Sequence, residues 1–295
     1  MREPWTHGFV LAGGLRFHYV EAGPKDGPLV LLLHGFPEFF YSWRHQIPSL
    51  AARGLRVVAP DLRGYNLSDK PRGADAYDLD RLAGDVVGLI AAFGAERADI
   101  VGHDFGGAVA WHTAMHHGER VRRLAVLNCA HPVDMGRALL RDPRQLLRSW
   151  YMFLFQIPRV PELILGGGRV PRMLRRAMVR KDALTDEDAA RYAAAFEEPG
   201  ALTAALDYYR AAFRRLPRAR HERHPPLVTA PTLVLWGERD VALRVQLIAD
   251  VHRRVSGPLR VERLPGAGHF VQQDAPEEVN RYLGEFLTAS DDQIA

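Results

Sequence analysis

One aspartate in this sequence stands where a nucleophile is expected. In Ile100-Val101-Gly102-His103-Asp104-Phe105-Gly106-Gly107 an apolar run reaches Gly102, a helical pattern opens near Gly106, and Asp104 lies between them. The glycines permit the sharp, strained strand-to-helix turn that lifts a functional side chain above the C-terminal edge of a sheet. In the common G-x-S-x-G form the lifted residue is serine; here it is a carboxylate. A carboxylate needs no deprotonation before it attacks, and its product is an ester of the protein itself. Asp104 therefore suits displacement at a saturated carbon better than acyl transfer. Its competing role is to cap the helix that follows, which aspartate also does well.

A second segment offers a base. Gly266-Ala267-Gly268-His269-Phe270 directly follows the last strand-like run. Glycines free the backbone there, and a loop beyond the C-terminal end of a strand is where open α/β sheets assemble their sites. That placement separates His269 from the rest of the 13 histidines. The third segment, Trp236-Gly237-Glu238-Arg239-Asp240, follows the preceding strand-like run. From it Asp240 can hold the imidazole in one tautomer and stabilise its cation. The competing role for Asp240 is an ion pair with Arg239 or another arginine, and Glu238 is the reserve acid. The chain order of nucleophile, acid and histidine fits a nucleophile raised on such a turn.

These three loops need a sheet to carry them. Short apolar runs alternate with helical patterns through the first half, which predicts βα units and a mostly parallel sheet. Strands are expected at LRFHYVEAG, PLVLLLHG, LRVVAPDL, ADIVGHD and RLAVLNCA, with helices at Trp43–Ala52, Asp80–Phe93 and Gly106–His117. The middle helix keeps Leu82, Val86, Leu89, Ile90 and Phe93 near one face. From about Pro132 to Pro226 the alternation stops, leaving helical patterns, prolines and clustered aromatic residues. Strands resume at TLVLWGERD and LRVERLPGAGH, and a last helix spans Pro276–Leu287. The expected organisation is a core of residues 1–132 and 227–295 interrupted by a helical insertion at 133–226.

At this point the sequence resembles the α/β-hydrolase superfamily and, within it, the epoxide hydrolase branch. The matching stretches are HGFPEFFYSWRHQIPSLA, VVAPDLRGYNLSDKP, VGHDFGGAVAW, LVLWGERD and GAGHFVQQDAPEEVN. The resemblance implies the α/β-hydrolase fold with an inserted helical cap, and conversion of an epoxide to a vicinal diol through an ester on Asp104. His269, held by Asp240, then activates the water that cleaves the ester. In the family two cap tyrosines donate to the epoxide oxygen. By similarity these are Tyr151 in SWYMF and Tyr209 in LDYYR, with Tyr208 a possible register alternative for the second. Plain aromatic packing between cap helices is the competing role for both. Trp150, Tyr208, Phe36 and Pro37 are expected to line the substrate site. His34-Gly35 ends a buried strand that Pro37 cannot continue. The backbone N–H groups of Phe36 and Phe105 are then placed to form an oxyanion hole.

Two rivals remain in view. A haloalkane-type dehalogenase shares the aspartate nucleophile, but Phe105 has no side-chain N–H to offer a departing halide. A non-catalytic binding protein of the same fold is the second alternative, although such relatives usually lose triad residues and Asp104, Asp240 and His269 are all present. Composition excludes little more. No run approaches a membrane span and no secretory leader is visible, so a cytoplasmic location is expected. The single Cys129, in the apolar stretch LAVLNCA, reads as a buried structural thiol. The net charge of +4 does not call for nucleic acid. The stretch from Val133 to Pro225 nevertheless carries 18 Lys and Arg against 11 Asp and Glu, with runs such as RVPRMLRRAMVRK. These suggest either an anionic partner or, more commonly, the solvated face of an amphipathic helix. No cofactor or metal is implied, the expected partner is a small hydrophobic epoxide, and the state is monomer or homodimer. Only the polar tail Asp291-Asp292-Gln293 is expected to be disordered.

Overall fold

The computed structural model of the chain describes residues 3–219 and 225–290, so the tail at 291–293 lies outside the described residues. Its frame is one eight-stranded sheet: β1 (Thr6–Ala12), β2 (Leu15–Ala22), β3 (Leu29–Leu33), β4 (Arg56–Pro60), β5 (Ala98–His103), β6 (Val121–Leu127), β7 (Thr232–Gly237) and β8 (Leu259–Leu264). The order across the sheet is β1-β2-β4-β3-β5-β6-β7-β8. Strands β3 to β8 pair in parallel, while β2 meets both β1 and β4 antiparallel. The central strands β3, β5 and β7 are buried at every position. That explains their uninterrupted apolar runs, because helices cover both faces.

Strand β1 is an addition to what the sequence suggests. It is an edge strand with Phe9 and Leu11 exposed, and its first half, Thr6-His7-Gly8, carries no apolar run. Gly13 and Gly14, both at positive φ, close its two-residue hairpin to β2, a turn in which side chains would be strained. The helix expected at Trp43–Ala52 is shorter than its pattern. A 3₁₀ turn covers Phe40–Trp43, and α1 follows at Gln46–Ala51. The next two match closely, α2 at Leu79–Ala92 and α3 at Phe105–His116.

Between β6 and β7 the described chain is helical: α4 (Pro132–Arg141), α5 (Pro143–Arg148), α6 (Trp150–Leu154), α7 (Val160–Leu165), α8 (Val170–Ala177), α9 (Asp186–Glu197) and α10 (Ala201–Ala219). After β8 come α11 (Val271–Asp274) and α12 (Pro276–Thr288). Ion pairs fix α10 over the start of α2 and the turn before it, joining Arg214 to Asp75 and Arg215 to Asp78 and Asp80. The hydroxyl of Tyr208 adds a buried bond to the Arg63 carbonyl at 2.7 Å. No helix among the described residues is long and apolar enough to cross a membrane.

Candidate active site

Asp104 is the single residue between β5 and α3, and its backbone sits at φ 49°, ψ −120°. A non-glycine residue held there stores roughly 1–3 kcal/mol of strain, which persists only where the surroundings over-determine it. The surroundings do. A methyl group on Gly106 would be driven into the Leu33 carbonyl, and one on Gly35 into the Cβ of Asp104 itself. The strand, the turn and the loop after β3 therefore approach through glycine alone. The carboxylate does not cap α3. Its Oδ1 accepts the Phe36 N–H at 2.9 Å, and its Oδ2 faces His269 Nε2 at 3.4 Å.

The other ring nitrogen of His269, Nδ1, bonds Asp240 Oδ2 at 2.7 Å. Asp240 is itself tightly held: Oδ1 accepts the Ala242 and Leu243 N–H groups at 2.7 and 2.8 Å. Glu238 points elsewhere and pairs with Arg263 at 2.6 Å. Asn128, just past the end of β6, donates from Nδ2 to Asp240 Oδ2 at 2.8 Å and accepts the Gly237 N–H at 2.8 Å. In the sequence Asn128 reads as part of the apolar strand RLAVLNCA. The available signal was an amide side chain at a strand's C-terminal end, where such sheets build sites.

A second buried layer was also missed. His103 lies one residue before Asp104, with Nδ1 on Glu38 Oε2 at 2.7 Å and Nε2 on the His269 carbonyl at 2.8 Å. Both ring nitrogens of His103 therefore lie within hydrogen-bond distance of oxygen atoms. Glu38, wholly buried, also accepts the side-chain amides of Gln272 and Gln273 at 2.9 Å each and the Gly35 N–H at 3.2 Å. One carboxylate thus ties the loop that presents Phe36 to the loop that presents His269. Burial opposes charge on Glu38, but His103 outweighs it and holds the carboxyl below its ordinary range.

The same competition sets the site's charge state. Burial disfavours the His269 cation, yet Asp240 and Asp104 together raise the imidazole well above its ordinary range. Burial likewise works against the Asp104 and Asp240 anions, and His269 lowers both. The free site is an anion–cation–anion row. Tyr151 and Tyr209 behave oppositely: burial, and then charges around the site, push both phenols up, so they remain donors at any ordinary pH.

Those phenols stand over the nucleophile. Tyr151 comes from α6 and Tyr209 from α10, their rings 5.9 Å apart edge to face. Tyr209 also packs on Phe36 and Phe105, at 5.2 and 4.7 Å between centroids. Two cavities meet here, and Asp104, Tyr151 and Tyr209 line both. The larger, about 560 Å³, adds Phe36, Pro37 and His269. The smaller, about 170 Å³, runs over Phe105, Ala108 and Leu139. Tyr208 faces the smaller one, but its hydroxyl is committed to Arg63, whereas Trp150 stands at the larger cavity's rim, 63% exposed. Cys129 is buried beside the smaller cavity, and burial holds it as a thiol.

Comparison with known proteins agrees with this architecture. A family described as alpha/beta hydrolase fold matches residues 28–276. An AB hydrolase superfamily protein, YfhM, of Bacillus subtilis is 40% identical over 95% of this chain and 96% of its own length. Human epoxide hydrolase 4 is also 40% identical, over 96% of this chain and 79% of its own. Among solved structures, a Bacillus megaterium epoxide hydrolase crystallised with an inhibitor superposes with a TM-score of 0.86 at 30% identity, covering 96% of this chain and all (100%) of that one. The chain belongs to the α/β-hydrolase family and, within it, to the epoxide hydrolases.

Proposed function

We propose that this chain hydrolyses small apolar epoxides to vicinal diols through an ester on Asp104, with residues 133–226 acting as a cap over a core of residues 1–132 and 227–295. Asp104 attacks an epoxide carbon and the C–O bond breaks. The oxygen takes a proton from the Tyr151–Tyr209 pair, leaving a hydroxyalkyl ester. Esterification removes one of the two anions that sustain the His269 cation, so the imidazole releases its proton, which restores the tyrosine through solvent. Neutral His269 then takes a proton from water as that water attacks the Asp104 carbonyl carbon. The Phe36 and Phe105 N–H groups stabilise the oxyanion, and as it collapses the newly added hydroxyl passes its proton to the departing diol oxygen, so His269 keeps the proton taken from water. The carboxylate–imidazolium row is thereby restored. The base is therefore armed by the first step and not before it.

The observation that best supports this reading is the posture of Asp104. Its carboxylate bonds the Phe36 amide and faces His269 in a cavity lined by the Tyr151 and Tyr209 rings, instead of capping its helix. A dehalogenase reading has no comparable support, because the Phe105 ring packs on Tyr208 and Tyr209 and carries no donor for a halide. The same proposal has the enzyme working in the cytoplasm as a monomer or homodimer. Incubation with styrene oxide and, separately, with 1-bromobutane is the test. Diol formation that disappears in Asp104→Ala is the expected outcome. Bromide release without diol would replace the epoxide with an alkyl halide as substrate.

A further inference from the structure

Nine of the fifteen large apolar side chains left exposed among the described residues fall within residues 140–164, from the end of α4 into α7. Apolar side chains exposed singly are ordinary on a protein surface, whereas such a concentration marks a face that something covers. Leu147 on α5 and Leu163 on α7 are each 74% exposed. Trp150 from α6, Ile164 from α7 and Val241 from the loop after β7 are exposed as well. These last three also line the larger cavity, so they stand around its opening. The apolar face therefore surrounds the way in to Asp104.

The unpaired charges beside it are of one sign. Arg169, Arg172 and Arg176 line the same cavity, and Arg169 is fixed by the Leu163 and Gly166 carbonyls at 2.9 and 3.1 Å. Arg148, two residues before Trp150, donates to the Asp240 carbonyl at 3.0 Å. All four arginines are exposed, and none forms an ion pair among the described residues. The nearby carboxylates are neutralised elsewhere, Glu162 by Arg210 and Asp142 by Arg244.

Apolar side chains ringed by unpaired arginines match the surface of an anionic bilayer. Leucines enter the boundary between headgroups and acyl chains, an indole sits at that level, and guanidinium groups meet the phosphates. A second copy fits less well. A twofold interface sets the same patch against itself, which would bring these arginines together and oppose like charges.

We propose that this face of the insertion docks on anionic phospholipid bilayers, which it enters without spanning, and that docking turns the opening of the larger cavity toward the lipid. An apolar molecule dissolved in the bilayer then reaches Asp104 without first crossing water. The docking face goes beyond the epoxide reading and does not depend on it. It gives the basic run in the insertion an anionic partner.

Flotation of the full chain with vesicles reads the partition, using phosphatidylcholine alone or with about one lipid in three replaced by phosphatidylglycerol. Each basic residue near such a surface contributes about fivefold, so R172Q/R176Q should lower binding to the mixed vesicles about 25-fold. Binding should also fall steeply in about 1 M salt, where screening acts within a few ångströms. Losing two inserted leucines in L147A/L163A should cost about tenfold or more. All four side chains are exposed, so both variants should keep the wild-type Tm. Trp150 reports insertion, because Trp43, Trp111 and Trp236 are fully buried. Phosphatidylcholine brominated on its acyl chains, mixed with phosphatidylglycerol, should quench emission in the native protein and not in W150F. Equal binding to both kinds of vesicle, or binding that L147A/L163A leaves untouched, overturns the proposal. So does adsorption without quenching, which would leave the apolar face in water. A dimer that L147A/L163A dissociates, in a protein that floats with neither vesicle, would give the face to a second copy instead.

Discussion

Removing the hydroxyl of Tyr209 isolates the donor role from packing. Its ring is held edge-on by Phe36, Phe105, Phe155 and Tyr151, with centroids 4.7–5.9 Å away. Tyr209→Phe keeps all four contacts and deletes only an O–H. A buried hydroxyl contributes about 1 kcal/mol net to stability, so Tm should move by a few degrees at most. Loss of a preorganised donor to a developing oxyanion costs about 3–4 kcal/mol, a factor of 10²–10³. Because Tyr151 still reaches the same oxygen, the single variant belongs at the lower end, about 10²-fold in alkylation rate. Tyr151→Phe with Tyr209→Phe should exceed about 10³-fold. Single-turnover experiments with enzyme in excess over styrene oxide measure this step, followed by chromatographic loss of epoxide. The decline should fall on alkylation and leave breakdown of the ester within a few-fold of wild type. Alkylation by the double variant within fivefold of wild type would refute the donor assignment.

Three further outcomes follow from particular contacts. Gly35→Ala should fold poorly or lower kcat/KM by at least about 10²-fold, because the added methyl displaces Asp104 and small displacements of reacting groups cost that much; normal kinetics in a stable variant would contradict the crowding. Asn128→Ala should cost about 1–3 kcal/mol in the hydrolytic step by leaving buried Asp240 short of a donor, slowing ester breakdown while sparing alkylation; equal slowing of both steps would point to a general collapse instead. Burial, only partly offset by Asp134, lowers His131 to about 4, and burial with a weaker opposing Asp80 bond lowers His112 to about 4. Below pH ~6.5 the unfolded chain binds these protons and the native state does not, so stability is lost as pH falls from ~6.5 to ~4, by up to about 3 kcal/mol per histidine. Urea unfolding across that range should show a shallower slope in His131→Gln, and an unchanged slope would remove His131 from the account.

Much of the site is readable in the sequence because glycine marks it. Asp104 is bracketed by Gly102 and Gly106, where a Cβ would collide with backbone, His269 follows Gly266 and Gly268, and both loops follow unmistakable strands. The second cap tyrosine was ambiguous for a physical reason. Tyr208 and Tyr209 differ by 100° around one helix, and only packing of α10 against Arg63 on one side and Phe36 on the other separates them. Asn128, His103 and Glu38 escaped because their meaning lies in long-range partners 65 to 235 residues away, which no local pattern encodes. Edge strand β1 escaped because apolar Phe9–Ala12 follows Thr6, His7 and Gly8, giving neither an unbroken apolar run nor a strict alternation along the strand. The charge count in the insertion was visible throughout. Where those charges find partners was not, since the ion pairs of Arg215 with Asp78 and Asp80 appear only in three dimensions.

A single turnover in ¹⁸O-labelled water tests the ester on Asp104 most directly. With enzyme in excess of styrene oxide, the label should enter the Asp104 carboxylate, found by mass in the peptide that contains it, and the first diol released should be unlabelled. Label in that first diol, with Asp104 unlabelled, would mean that water attacks the epoxide itself and that no ester forms.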